Sequence, residues 1–146
     1  MKQVAVFEVK DLSLSVEGRQ VVCGLSFVAR AGEVMRLTEF PPATATLLAK
    51  TLTGLWPSDG GFITLDGAVM TPVSGLYLRR LIAYLPKELP EELAESRRLL
   101  QVPIDDEDDK QVIIVEDARR YADLVEKQRA KGKIIIVIDQ EGGQLL

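Results

Sequence analysis

Residues 112–138, VIIVEDARRYADLVEKQRAKGKIIIVI, decide the fold. The stretch opens on a β-branched run, Val112 to Val115, and closes on a second, Ile134 to Ile138. Continuous runs of this kind mark strands covered on both faces, because a half-solvated strand alternates instead. Between them, 117–131 is polar and rich in helix formers. Gly132 follows, as helix ends favour. Strand, crossover helix and strand make a right-handed βαβ unit, and with it a parallel sheet.

Upstream, Leu81 to Leu85 reads as another strand, stopped by Pro86, with a short helical turn over 76–80 before it. Residues 62–65 form a strand turned by Asp66-Gly67. Leu47, Leu48, Leu52 and Leu55 recur at helical spacing, with Gly54 as the C-cap region. Pro41-Pro42 keeps that helix from starting earlier, because a proline pushes the preceding residue out of the helical region. Residues 33–37 form a short strand. The first thirty residues are β throughout: a strand at 4–9, an alternating strand over Leu12, Leu14 and Val16, a turn at Glu17-Gly18, and a return strand over 21–28. The class is α/β, with a parallel core sheet and an antiparallel N-terminal β layer.

The chain has 146 residues, which suits one domain over 1–146. Charged residues make up 27% and the net charge is −4. An acidic balance argues against nucleic acid as a partner. Cys23 is the only cysteine, so no internal disulfide forms, as expected in a reducing compartment. There is no histidine. That removes Ser-His and Cys-His nucleophile pairs, histidine metal ligands and an imidazole base. No apolar run approaches the ~20 residues of a spanning helix, and no signal segment is visible, so the expected location is cytoplasmic. Asp105 to Asp109 is an acidic run, read as a solvated loop.

The N-terminal half resembles one family. Residues 8–37, EVKDLSLSVEGRQVVCGLSFVARAGEVMRL, are similar to the opening of an ABC-transporter ATPase domain. The likeness continues through 46–67, TLLAKTLTGLWPSDGGFITLDG, with its first helix, Pro-x-x-Gly loop and "I-x-L-D-G" strand. Residues 78–87, LRRLIAYLPK, resemble the approach to the family's Q-loop, and 112–138 the Walker B strand, its helix and the strand before the H-loop. The resemblance implies a P-loop-NTPase-like (RecA-like) core that binds ATP between two copies and drives a transporter.

The family's catalytic positions carry other residues here. Its phosphate loop, G-x-x-x-x-G-K-[ST], aligns with Glu39-Phe40-Pro41-Pro42-Ala43-Thr44-Ala45-Thr46. Glycines let consecutive backbone N–H groups wrap phosphates. Glu39 and Thr44 replace them, and each proline removes an N–H donor. Ala45 replaces the phosphate-binding lysine. Glu39 would repel a phosphate by up to about 4 kcal/mol per charge pair at ~4 Å. Only Thr46 keeps the metal-binding hydroxyl, and an ordinary helix threonine fits the position as well. Val16 stands for the adenine-stacking aromatic, Lys87 for the Q-loop glutamine and Asp139 for the H-loop histidine. Walker B ends in Glu116-Asp117 instead of Asp-Glu. That pair could hold Mg²⁺, but without a phosphate cradle the metal lacks its other ligands, and acids at the positive end of a helix explain the pair better.

Only 88–111 lies where the family inserts its helical signature subdomain, so that subdomain is expected to be missing, with one helix over about 90–100 in its place. Glu141-Gly142-Gly143-Gln144 imitates the signature in composition, but follows the last core strand. The vestigial positions Glu39, Thr44, Ala45, Thr46, Lys87, Glu116, Asp117 and Asp139 are not expected to function. The resemblance implies a non-catalytic subunit, with an ABC ATPase or permease as protein partner and a peripheral place at the membrane's inner face. No cofactor or metal is expected. Weak Mg-ATP binding, another small ligand and a homodimer stay open.

Overall fold

The computed structural model describes residues 4–54, 56–71, 79–85, 110–116 and 121–140, with the backbone alone at 39, 79, 139 and 140. The expected helix near 90–100, the acidic run at 105–109 and the Gly-Gly tail at 141–144 lie outside the described residues.

Two four-stranded sheets form the body. The antiparallel one has order β2-β1-β4-β5, from β1 (Val6–Val16), β2 (Arg19–Arg30), β4 (Gly60–Leu65) and β5 (Ala68–Val69). The parallel one has order β3-β8-β7-β6, from β3 (Val34–Phe40), β6 (Ile82–Leu85), β7 (Val112–Val115) and β8 (Ile134–Gln140). Helix α1 spans Pro42–Thr53 and helix α2 spans Ala122–Ala130. β7, α2 and β8 form the expected βαβ unit, with Val112 beside Ile134 and Val115 beside Val137.

The isoleucine-valine runs are continuous because both faces are covered. Val112, Ile114, Ile134, Ile136 and Ile138 join Leu48, Leu52, Phe7 and Leu12 in the larger core, under α1 and the antiparallel sheet. Ile113, Val115, Ile135 and Val137 join Tyr121 on the other face, with Leu124 and Val125 of α2 against them. Every residue of β7 and every one from Ile134 to Ile138 is fully buried. Alternate side chains point to opposite faces, so one strand serves both cores. Two buried threonines of α1 satisfy their hydroxyls within the helix: Thr51 donates to Leu47 O and Thr53 to Ala49 O. The polar face of α2 carries an exposed Glu126–Arg129 pair. The Arg129 hydrogen bond, and then its charge, hold the Glu126 carboxyl below the usual range.

Several boundaries differ from expectation: β2 spans Arg19–Arg30 against 21–28, and β4 begins at Gly60 against 62. Residues 4–9 and 12–16 are one strand, not two. A bulge at Asp11 (φ 51°) shifts the register, and the Asp11 N–H donates to Ser26 Oγ at 2.9 Å. β3 runs on to Phe40, held there by pairing with Gln140 of β8. Of the turn expected over 76–80, residues 76–78 lie outside the described residues, and its end is at Leu81, so β6 begins at Ile82 instead of Leu81. On the outer strand β2, the pairs Leu12–Leu25 and Leu14–Val22 leave Cys23 and Gly24 as a second bulge, with Gly24 at φ 65°.

Asp66 fastens the start of β1. Its carboxylate accepts the N–H groups of Ala5 and Val6, the latter at 2.8 Å, and its own N–H donates to Val6 O. Asp66→Ala is expected to cost about 1–3 kcal/mol, since hydrogen bonds to a charged group are the stronger kind and φ of 52° disfavours alanine. Urea denaturation measures it. Asp66→Asn, which tolerates positive φ and keeps an acceptor oxygen, should recover most of the loss.

Candidate functional site

The positions aligned with the phosphate loop lie where β3 hands over to α1. Pro41 alone joins the strand to the helix. Its φ of −57° and ψ of 150° are the extended values that a following proline demands. Pro42 is the first helical residue, a position that suits proline because its φ is already helical. Ala45 N–H donates back to Pro41 O at 2.9 Å and closes the first turn. A helix normally offers four N–H groups at its start. Here Pro41 and Pro42 carry none, so only Ala43 and Thr44 have one to offer. The residues aligned with the family's phosphate loop are thus the end of a strand and the first turn of a helix.

Ala45 is fully buried in the core beside Leu48 and Ala49. Thr44 is buried as well, and Thr46 is half-buried. Thr46 reaches across to the end of β7. Its hydroxyl donates to Glu116 Oε2 at 2.9 Å. Glu116 is only 4% exposed, and its other oxygen, Oε1, accepts from the Tyr84 hydroxyl of β6. The structure therefore brings Thr46 and Glu116 together at the carboxyl ends of the parallel strands, where open α/β sheets bind ligands.

Sequence reasoning missed Tyr84. The signal was its strand: a phenol in an otherwise apolar stretch needs a partner for its hydroxyl when buried. Parallel pairing sets Tyr84 beside Ile114, two residues before Glu116. Lys87 and Asp117 lie outside the described residues, as do the side chains of Glu39 and Asp139. Val16 ends β1 at 45% exposure, well toward solvent. Among the described residues, no group of three or more His, Cys, Asp or Glu could hold a metal ion. No helix among them is long and apolar enough to cross a membrane.

A concavity of about 410 Å³ opens at the other end of α1. Thr51, Trp56, Phe62, Ile63 and Met70 line it. Trp56 and Phe62 are each about half exposed.

No family model matches the sequence. A curated relative, the ribose import ATP-binding protein RbsA of Bacillus cereus (strain ZK / E33L), is 38% identical over 64 residues. That match covers 44% of this chain and 13% of the relative's length. A solved ATP-binding subunit of an ABC transporter superposes with a TM-score of 0.67 at 20% identity, over 92% of this chain and 79% of its own. CbiO1 of Clostridium perfringens, described as part of the ABC transporter complex cbiONQ, superposes with a TM-score of 0.64 at 14% identity, over 95% of this chain and 79% of its own. With its parallel sheet, antiparallel layer and strand-to-helix junction, the chain has the fold of an ABC-transporter ATP-binding subunit.

Proposed function

We propose that this chain is a non-catalytic ABC-ATPase-like protein, an interaction or regulatory subunit of an ABC-transporter-type complex that has lost ATP binding and hydrolysis. The observation that carries the reading is the β3–α1 junction. Phosphoryl transfer depends on positioning and electrostatic stabilisation of the phosphates. Two prolines, a buried alanine and a helix already closed at Pro41 supply neither. The framework, in contrast, keeps an apolar core, with Val112 to Val115 of β7 and Ile134 to Ile138 of β8 fully buried. Large-to-small core changes cost about 2–5 kcal/mol against a total stability of about 5–15 kcal/mol, so an unselected core would erode with its site. A kept core beside an erased site supports a structural role in an assembly. The partner proposed is an ABC ATPase or permease subunit.

Titration calorimetry with MgATP tests the loss of nucleotide binding. The expected Kd is weaker than about 1 mM, a binding free energy of no more than about 4 kcal/mol. A micromolar Kd would overturn it. Affinity capture of the tagged chain from its own host tests the partner. Recovery of an ABC ATPase or permease is expected, and recovery of the chain alone removes the subunit reading.

One observation favours a second reading, residual Mg-ATP binding. Thr46 and Glu116 stand at the two metal-binding positions and are in contact. Binding of MgATP by the wild type that Glu116→Gln abolishes would establish it.

A further inference from the structure

The fold family implies a divalent cation between Thr46 and Glu116, and the donor set can be tested for it. Mg²⁺ demands about six oxygen ligands near octahedral geometry, usually one or two carboxylates with phosphate oxygens and waters. Here the Glu116 carboxylate is buried, with Oε2 accepting from Thr46 and Oε1 from Tyr84. A phenol hydroxyl gives one proton and brings a bulky ring with it. It therefore takes, on one carboxylate oxygen, the place a cation and its waters would need. The residues do not fit the ion.

We infer that Tyr84 replaces the cation: its hydroxyl, with that of Thr46, holds Glu116 as a metal-free staple joining α1, β6 and β7. The three groups come from three elements. Thr46 lies in the first turns of α1, Tyr84 in the middle of β6, and Glu116 directly after β7. Glu116 N–H also donates to Leu85 O, so the backbone holds the carboxylate at the β6 end as well. A staple of this kind keeps the three elements in one arrangement whether or not nucleotide is present. The inference deepens the non-catalytic reading and rests on it.

The test is Mn²⁺ binding to the full chain without nucleotide, followed by electron paramagnetic resonance, with thermal unfolding in Mn²⁺ and in chelator. Wild type is expected to bind no stoichiometric Mn²⁺ and to unfold at the same temperature in both. Tyr84→Phe, which keeps the ring and deletes the hydroxyl, is expected to lower the midpoint by about 3–8 °C in chelator. It should also gain a saturable Mn²⁺ site that restores much of the loss. Thr46→Val should lower the midpoint without gaining a site. A stoichiometric Mn²⁺ site in wild type that Glu116→Gln removes would overturn the inference. So would a Tyr84→Phe variant as stable as wild type, or one that is destabilised and still ignores Mn²⁺. MgATP binding elsewhere on the chain would sink the non-catalytic reading and leave the Mn²⁺ results unchanged, so the two failures are distinguishable.

Discussion

Gly61→Ala is expected to destabilise the protein by about 3 kcal/mol or more, a large part of what a domain of this size possesses. Two independent costs meet at this residue. Its φ is +77°, where an L side chain is strained. An added Cβ would also stand 2.3 Å from Asp11 O and 2.4 Å from Lys10 O. Those atoms are backbone, held in the β1 bulge, and cannot swing aside as a side-chain tip would. Gly67 is the control. Its φ is +86°, yet nothing lies within 4 Å of an added Cβ. Gly67→Ala should therefore cost only the conformational part, about 1–2 kcal/mol. Urea denaturation of both variants gives the comparison. Equal losses would show that the clash at Asp11 contributes nothing.

Ile136→Ala is expected to cost about 2–5 kcal/mol, and Ile136→Val about 0.5–1.5 kcal/mol. Ile136 is fully buried on the central strand β8, between Met35 of β3 and Ile114 of β7. It belongs to the core that also holds Leu48 and Leu52 of α1. The sheet on both sides and the helix above limit how far the gap can close, and unrelaxed cavities raise the cost. Its neighbour Ile135 is equally buried but faces the smaller core under α2. The apolar side chains of that helix there are the half-buried Leu124 and Val125, so it can settle onto the gap, while its buried residue, Gln128, is polar. Ile135→Ala should fall near the lower end of the range. Denaturation midpoints should shift in that order with unchanged slopes. A larger loss at Ile135 would reverse this account of the two faces.

Much of this architecture was legible because burial writes itself into side-chain type. A strand closed on both faces has no solvent side to alternate with, so Ile134 to Ile138 could hardly be read otherwise. The turns at Glu17-Gly18 and Asp66-Gly67 were legible from their glycines, which accept positive φ, and at the second also from the turn-forming Asp66. Pro41-Pro42 likewise announced where α1 begins. The single strand β1 was not legible. Its bulge at Asp11 depends on a hydrogen bond to Ser26, fifteen positions away, which no local pattern encodes. The site was legible by halves. The order of framework patterns pointed to Thr46 and Glu116, but Tyr84 meets Glu116 only through the parallel pairing of β6 with β7. Register between strands distant in sequence is a tertiary fact.

That distance also sets the order in which the protein can assemble as it is made. β1, β2, β4 and β5 all lie before residue 70, so the antiparallel sheet can close while the rest of the chain is still being synthesised. β3 cannot. Its partner is β8, with Val34 beside Ile135, roughly a hundred residues later in the chain. At typical synthesis rates β3 waits for roughly 5–20 s with an unmatched edge next to finished structure. For that interval the nascent chain presents an open parallel-sheet strand to the crowded space around the ribosome, and β8, the latest in sequence of the described strands, is the one that inserts between β3 and β7.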